Sequence, residues 1–113
     1  MHEISLCESV LRVIEDQAAA QDYRTVETVR LEVGVLAGVE IDALRFGFDV
    51  VMKGSIAEDA RLEIIAVEGR AWCPHCAKDV AIQRRFDACP ECGGHRLQIN
   101  GGDELRIKEL EVA

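Results

Sequence analysis

The sequence predicts an α+β protein: a small three-stranded mixed sheet with two helices on one face and an inserted four-cysteine module. Two segments space their apolar residues for helices and three alternate as strands. The order helix, strand, helix, strand, cysteine segment, strand contains a strand–helix–strand unit that favours a parallel crossover. Four of the five cysteines form two identical C-P-x-C pairs, Cys73–Cys76 and Cys89–Cys92, with twelve residues between them. A chain of 113 residues fits one modest core with a small satellite.

Each element has its own signal. Ser5 followed by Glu8 matches a capping box, and Cys7, Val10, Leu11, Ile14 and Ala18 recur at helical spacing, so a first helix is expected from Ser5 to Ala20. Thr25 to Val33 alternates Val29, Leu31 and Val33 against Arg30 and Glu32, a half-buried strand that ends at Gly34. Ile41, Leu44, Phe48, Val51 and Met52 mark a second helix, with Gly54 placed for a left-handed cap. Arg61 to Glu68 alternates as a second strand. Leu105 to Val112 is the third, its apolar phase changing between Ile107 and Leu110 as a bulge would cause. The strands flanking the cysteine segment are expected to pair antiparallel. Two domains follow: residues 1–69 with 103–113, and residues 70–102 inserted between two strands.

The cysteine spacing is a matter of coordination chemistry. A C-x-x-C turn aims two sulfurs at one ion while its N–H groups bond them, and two such turns complete a tetrahedral Zn²⁺ site in a zinc-ribbon-like module. Cys73, Cys76, Cys89 and Cys92 are the expected zinc ligands, and four thiolates leave no position open for activating water. The rivals are a rubredoxin-type iron site, which wants aromatic packing where only Trp72 and Phe86 lie nearby, and a redox dithiol, which would stand alone. His75 and His95 border the site and are expected to be exposed bystanders. Cys7 belongs to the apolar stripe of the first helix and is expected in the core.

Composition excludes several classes. With 49% hydrophobic and 30% charged residues the chain is an ordinary globular protein. A net charge of −8 opposes generic nucleic-acid binding and suggests partners with basic faces. The cysteine segment is nearly balanced, with Arg70, Lys78, Arg84 and Arg85 against Asp79, Asp87 and Glu91. The longest apolar runs, such as Ile64 to Val67, are too short to span a bilayer. Acidic residues at Glu3, Glu8, Glu15 and Asp16 do not match a signal peptide, which points to the cytoplasm. No phosphate-binding glycine loop, H-E-x-x-H or G-x-S-x-G motif suggests an enzyme.

Met1-His2-Glu3 is the other unusual feature. A terminal amine, the His2 backbone nitrogen and His2 Nδ1 can close five- and six-membered chelate rings, placing three nitrogens in one plane. That geometry is preferred by Ni²⁺ and Cu²⁺, with Glu3 able to add a carboxylate or its own nitrogen. Amine and amide must lose protons, so occupancy should rise with pH.

The start M-H-E-x-S-L-C-E-S, the strand V-R-L-E-V-G (29–34), the helix L-x-F-x-F-D (44–49), the doubled C-P-x-C and the final E-L-x-I-K-E-L-E-V (104–112) resemble the HypA/HybF hydrogenase nickel-incorporation family over essentially the whole chain. The resemblance implies a metallochaperone, not an enzyme, that binds Ni²⁺ through His2 and the Met1 amine with help from Glu3. It implies structural zinc on the four cysteines, and delivery, with a partner GTPase, to the large subunit of [NiFe]-hydrogenase. A monomer or weak homodimer, with no nucleic acid or membrane partner, is expected. The alternative is a zinc-ribbon adaptor that binds a protein or nucleic acid without transferring nickel.

Overall fold

The computed structural model describes residues 3–113, so Met1 and His2 lie outside the described residues. Its elements are α1 (Glu3–Gln21), β1 (Val26–Gly34), α2 (Ile41–Met52), β2 (Arg61–Val67), β3 (Gly69–Cys73), β4 (Lys78–Ile82), β5 (Gln98–Gly101) and β6 (Leu105–Val112). The strands form two three-stranded sheets, ordered β2-β1-β6 and β4-β3-β5. By contact the chain divides into two compact units: Met1–Leu31, Val39–Ile64 and Ile107–Ala113, and Glu32–Gly38 with Ile65–Arg106. The four paired cysteines all lie in the second of these units.

In the first unit α1 buries Cys7, Val10 and Ile14, the stripe that its periodicity demands. Because the helix already includes Glu3, Ser5 lies in its first turn and the expected capping box does not start it. α1 ends at Asp22, which takes a left-handed φ of 60° and donates its N–H to Ala18 O at 2.9 Å. α2 opens on Glu40, whose carboxylate accepts the N–H groups of Asp42 and Ala43. Glutamate is an unusual N-cap, but its carboxylate still complements the positive end of the helix. Gly54 takes the left-handed conformation expected after the last turn, with φ 76°. The buried face of α2 is Leu44, Gly47, Phe48 and Met52. A Cβ on Gly47 would lie 3.1 Å from Ile4 Cδ1 and 3.5 Å from Cys7 Sγ, so this glycine lets α1 come close.

β1 is the central strand of the first sheet. Val26 N–H bonds Ile56 O and Val35 N–H bonds Val67 O, so β1 and β2 run parallel, as the crossover requires. Thr25 and Ala113 exchange backbone bonds at one end while Gly34 N–H reaches Glu104 O at the other, making β1 and β6 antiparallel. The strands flanking the cysteine segment, β2 and β6, are thus edges on either side of β1, and their expected mutual pairing does not form. β1 wins the central place because both of its faces are covered: Val29, Leu31 and Val33 are buried on one, Val26 and Thr28 on the other. On the latter face Arg30 spans the sheet, meeting Glu63 at 2.9 Å and Glu111 at 2.8 Å. The Thr28 hydroxyl and Arg30 hold the Glu111 carboxyl below the usual carboxylate range.

The second unit contains a second three-stranded sheet, which apolar periodicity does not predict. β3 pairs antiparallel with β4, Gly69 opposite Ile82 and Cys73 opposite Lys78, and with β5, Trp72 opposite Gln98. Its small core joins Leu36, Ala71, Val80 and Ile82 to Cys73 and Cys89. Three glycines meet where backbones cross. A Cβ on Gly34 would fall 2.1 Å from Gly102 O, one on Gly102 2.3 Å from Glu68 O, and one on Gly69 2.5 Å from Ile82 O. Among the described residues no helix is long and apolar enough to cross a membrane.

Candidate metal centre

Two turns of matching build bring the four cysteine sulfurs together. Cys73 closes β3, and Cys76 follows in a turn whose N–H points back to Cys73 Sγ at 3.5 Å. The second turn is tied by Gly93 N–H to Cys89 O at 2.9 Å and Cys89 N–H to Gly94 O at 2.8 Å, while Gly94 N–H bonds Cys92 Sγ at 3.4 Å. The residue after each pair reverses the chain in the left-handed region: Ala77 at φ 51° and Gly93 at φ 75°. Glycine does so freely and alanine at a cost. Lys78 bridges to Glu91 between the two turns, its Nζ 2.6 Å from Oε1.

All four sulfurs lie within 4.8 Å of one another. The close contacts run across the turns, Cys73 to Cys92 at 3.7 Å and Cys76 to Cys89 at 3.9 Å. Zn–S bonds of about 2.3 Å put the edge of a regular ZnS₄ tetrahedron at about 3.8 Å, so the arrangement fits a structural zinc. A redox pair would instead bring together the two sulfurs of one C-x-x-C. The aromatic shell of a rubredoxin-type site is also missing: Trp72 and Phe86 are exposed, and the sulfurs sit beside Leu36, Ala71, Val80 and Ile82. His75 and His95 are exposed and line a cavity beside Cys73 and Cys92, outside the four-sulfur cluster.

Electrostatics explain why the cluster wants a cation. The N–H groups of Cys92 and Glu91 pull the Cys89 thiol down to about 7. Burial, reinforced by the neighbouring sulfurs, pushes Cys76 up to about 12. Four adjacent thiolates would repel one another, and a divalent ion removes that repulsion. Cys7 belongs to the first unit and is not part of the cluster. It is 1% exposed, donates to Leu44 O at 3.6 Å, and is pushed up to about 11 by burial and then by Glu3.

Of the residues expected to handle nickel, Glu3 alone is described. It lies in the first turn of α1, and its Oε2 accepts the Glu40 N–H at 3.3 Å. Met1 and His2 fall outside the described residues. Glu40 had no sequence signal as a partner of Glu3, being distant in the chain and not a usual capping residue type.

A two-helix α+β unit joined to a tetrathiolate knuckle module defines a small metal-binding protein of zinc-ribbon type. The model of the HypA family, described as hydrogenase/urease nickel incorporation metallochaperones, matches residues 1–112, and the chain belongs to that family. It is 59% identical over 112 residues to the hydrogenase maturation factor HypA of Alkalilimnicola ehrlichii, and 56% to that of Azotobacter vinelandii, covering 99% of each chain in both cases. The solution structure of the Ni metallochaperone HypA from Helicobacter pylori shares the fold, with a TM-score of 0.74 at 23% identity over 99% of this chain and 97% of that one.

Proposed function

We propose that this protein is a cytoplasmic nickel carrier that binds Ni²⁺ at its N-terminus and, with a partner GTPase, delivers it to the large subunit of [NiFe]-hydrogenase. Membership of a nickel-incorporation family over residues 1–112, in a chain that opens Met1-His2-Glu3, carries this reading. His2 is the principal ligand through its backbone nitrogen and Nδ1, and Met1 supplies the amine. Glu3 assists through its carboxylate or its own backbone nitrogen, one carboxylate oxygen also accepting the Glu40 N–H. A carrier must release its cargo, which suits a few exchangeable nitrogen ligands better than a closed cage. Cys73, Cys76, Cys89 and Cys92 hold the resident zinc, whose role is to fix the second unit.

Calorimetric titration of Ni²⁺ into protein beginning at Met1 tests the reading. One Ni²⁺ should bind more tightly as pH rises, because amine and amide release protons. His2→Ala, or one residue added before Met1, should abolish that binding and leave the zinc in place. Unchanged nickel binding in both variants would remove the proposed site.

A further inference from the structure

The turn after β4 is built to hold an aromatic ring in water. Asp87 Oδ2 accepts the N–H groups of Gln83 and Arg84, both at 3.0 Å, and the Asp87 N–H returns to Arg84 O at 3.1 Å. At the tip Phe86 is 92% exposed, although a benzyl side chain gains nothing from solvent. A groove of about 430 Å³ runs beside it, lined by Arg85, Phe86, Asp87, His95, Leu97 and Ile99. Leu97 and Ile99 form an aliphatic floor that rests on the small core of the second unit. An isolated exposed ring means little, but an exposed ring beside an apolar floor marks an interaction site.

The charge around this groove is opposite to that of the whole chain. Arg84 and Arg85 precede Phe86 and Arg96 follows His95, all exposed, in a protein of net charge −8. The nearby carboxylates are engaged: Asp87 bonds the loop backbone and Glu91 pairs with Lys78. We propose that the groove docks an acidic protein segment that carries one apolar side chain. The apolar group seats between Phe86 and the Leu97–Ile99 floor, and the flanking carboxylates meet Arg84 and Arg85. Arginine and aromatic residues are the side chains that interfaces favour, and a turn already fixed by Asp87 loses little freedom on binding. A single-stranded nucleic acid fits less well. The floor is aliphatic, so a run of bases would find rings only in Phe86 and His95 at the rim, and Trp72 lies on the face of β3 opposite Ala71 and its partner Ile99.

Fluorescence anisotropy on the full zinc-loaded chain tests the proposal. The probe is a fluorescein-labelled nonapeptide of aspartate and glutamate with one central leucine. It should bind saturably and more weakly as salt is added. Phe86→Ser should weaken it about tenfold or more, as loss of an anchor side chain does. Replacing the peptide's leucine by serine should do the same with the unaltered protein, and Arg84→Glu with Arg85→Glu should abolish binding. Both protein variants should keep their zinc and melting temperature. Lack of saturable binding, or equal binding to the parent and both variants, overturns the proposal. So does tighter binding of a nine-uridine oligonucleotide, which would assign the groove to RNA, or self-association lost in Phe86→Ser, which would assign it to a second copy.

Discussion

At the scale of single residues, Cys7 and the metal-centre cysteines show one functional group in opposite settings. Cys89 is drawn toward the thiolate by backbone N–H groups, whereas burial keeps Cys7 protonated to about pH 11. The unfolded chain, with an ordinary thiol near 9, loses this proton first as pH rises. The contribution of neutral Cys7 is therefore complete below about pH 9 and gone above about pH 11, at most about 3 kcal/mol. Urea midpoints of the parent and Cys7→Ala, measured across that interval, should converge as pH rises. A constant gap would mean that Cys7 stabilises by packing alone. The core position of Cys7 was legible from its helical stripe. Its raised pKa was not, because it depends on a cover that includes Leu44 from another helix.

Among the elements, α1 and α2 carry the first unit. Leu44 is fully buried on the inner face of α2, so Leu44→Ala should cost about 3–4 kcal/mol through lost transfer energy and the cavity left behind. Chemical denaturation would read this as a lower midpoint with an unchanged slope. Both helices were legible because each buries one periodic face, and the strands of the first sheet because their apolar residues alternate along the chain. β3, β4 and β5 were not. They are four or five residues long, their apolar positions reduce to pairs such as Ala71 with Cys73 and Val80 with Ile82, and the Pro and Gly of the knuckles interrupt any period. The edge positions of β2 and β6 also escaped sequence reasoning, because strand order depends on which strand can cover both faces.

For the whole molecule, the two units draw on different sources of stability. The first has Ile14, Leu31, Leu44, Phe48 and Met52 fully buried, whereas two of the six residues in the second unit's core are cysteines of the metal cluster. Removing zinc with a chelator, or Cys73→Ala, should melt the second unit first. Trp72, the only tryptophan and a residue of β3, should change its fluorescence while the helical circular dichroism of α1 and α2 persists. Simultaneous loss of both signals would make the chain a single cooperative block. The clustering of the four cysteines was legible because they come as local pairs; the Glu3–Glu40 contact was not, because it joins distant parts of the chain. The glycine crossing carries a further consequence. Gly69 enters the cysteine segment and Gly102 leaves it, and a Cβ on Gly102 would sit only 2.7 Å from Gly69 Cα. The two doors of the segment are thus a single doorway, through which a foreign ribbon of another length could be grafted, provided that the three residues at its frame keep hydrogen as their side chain.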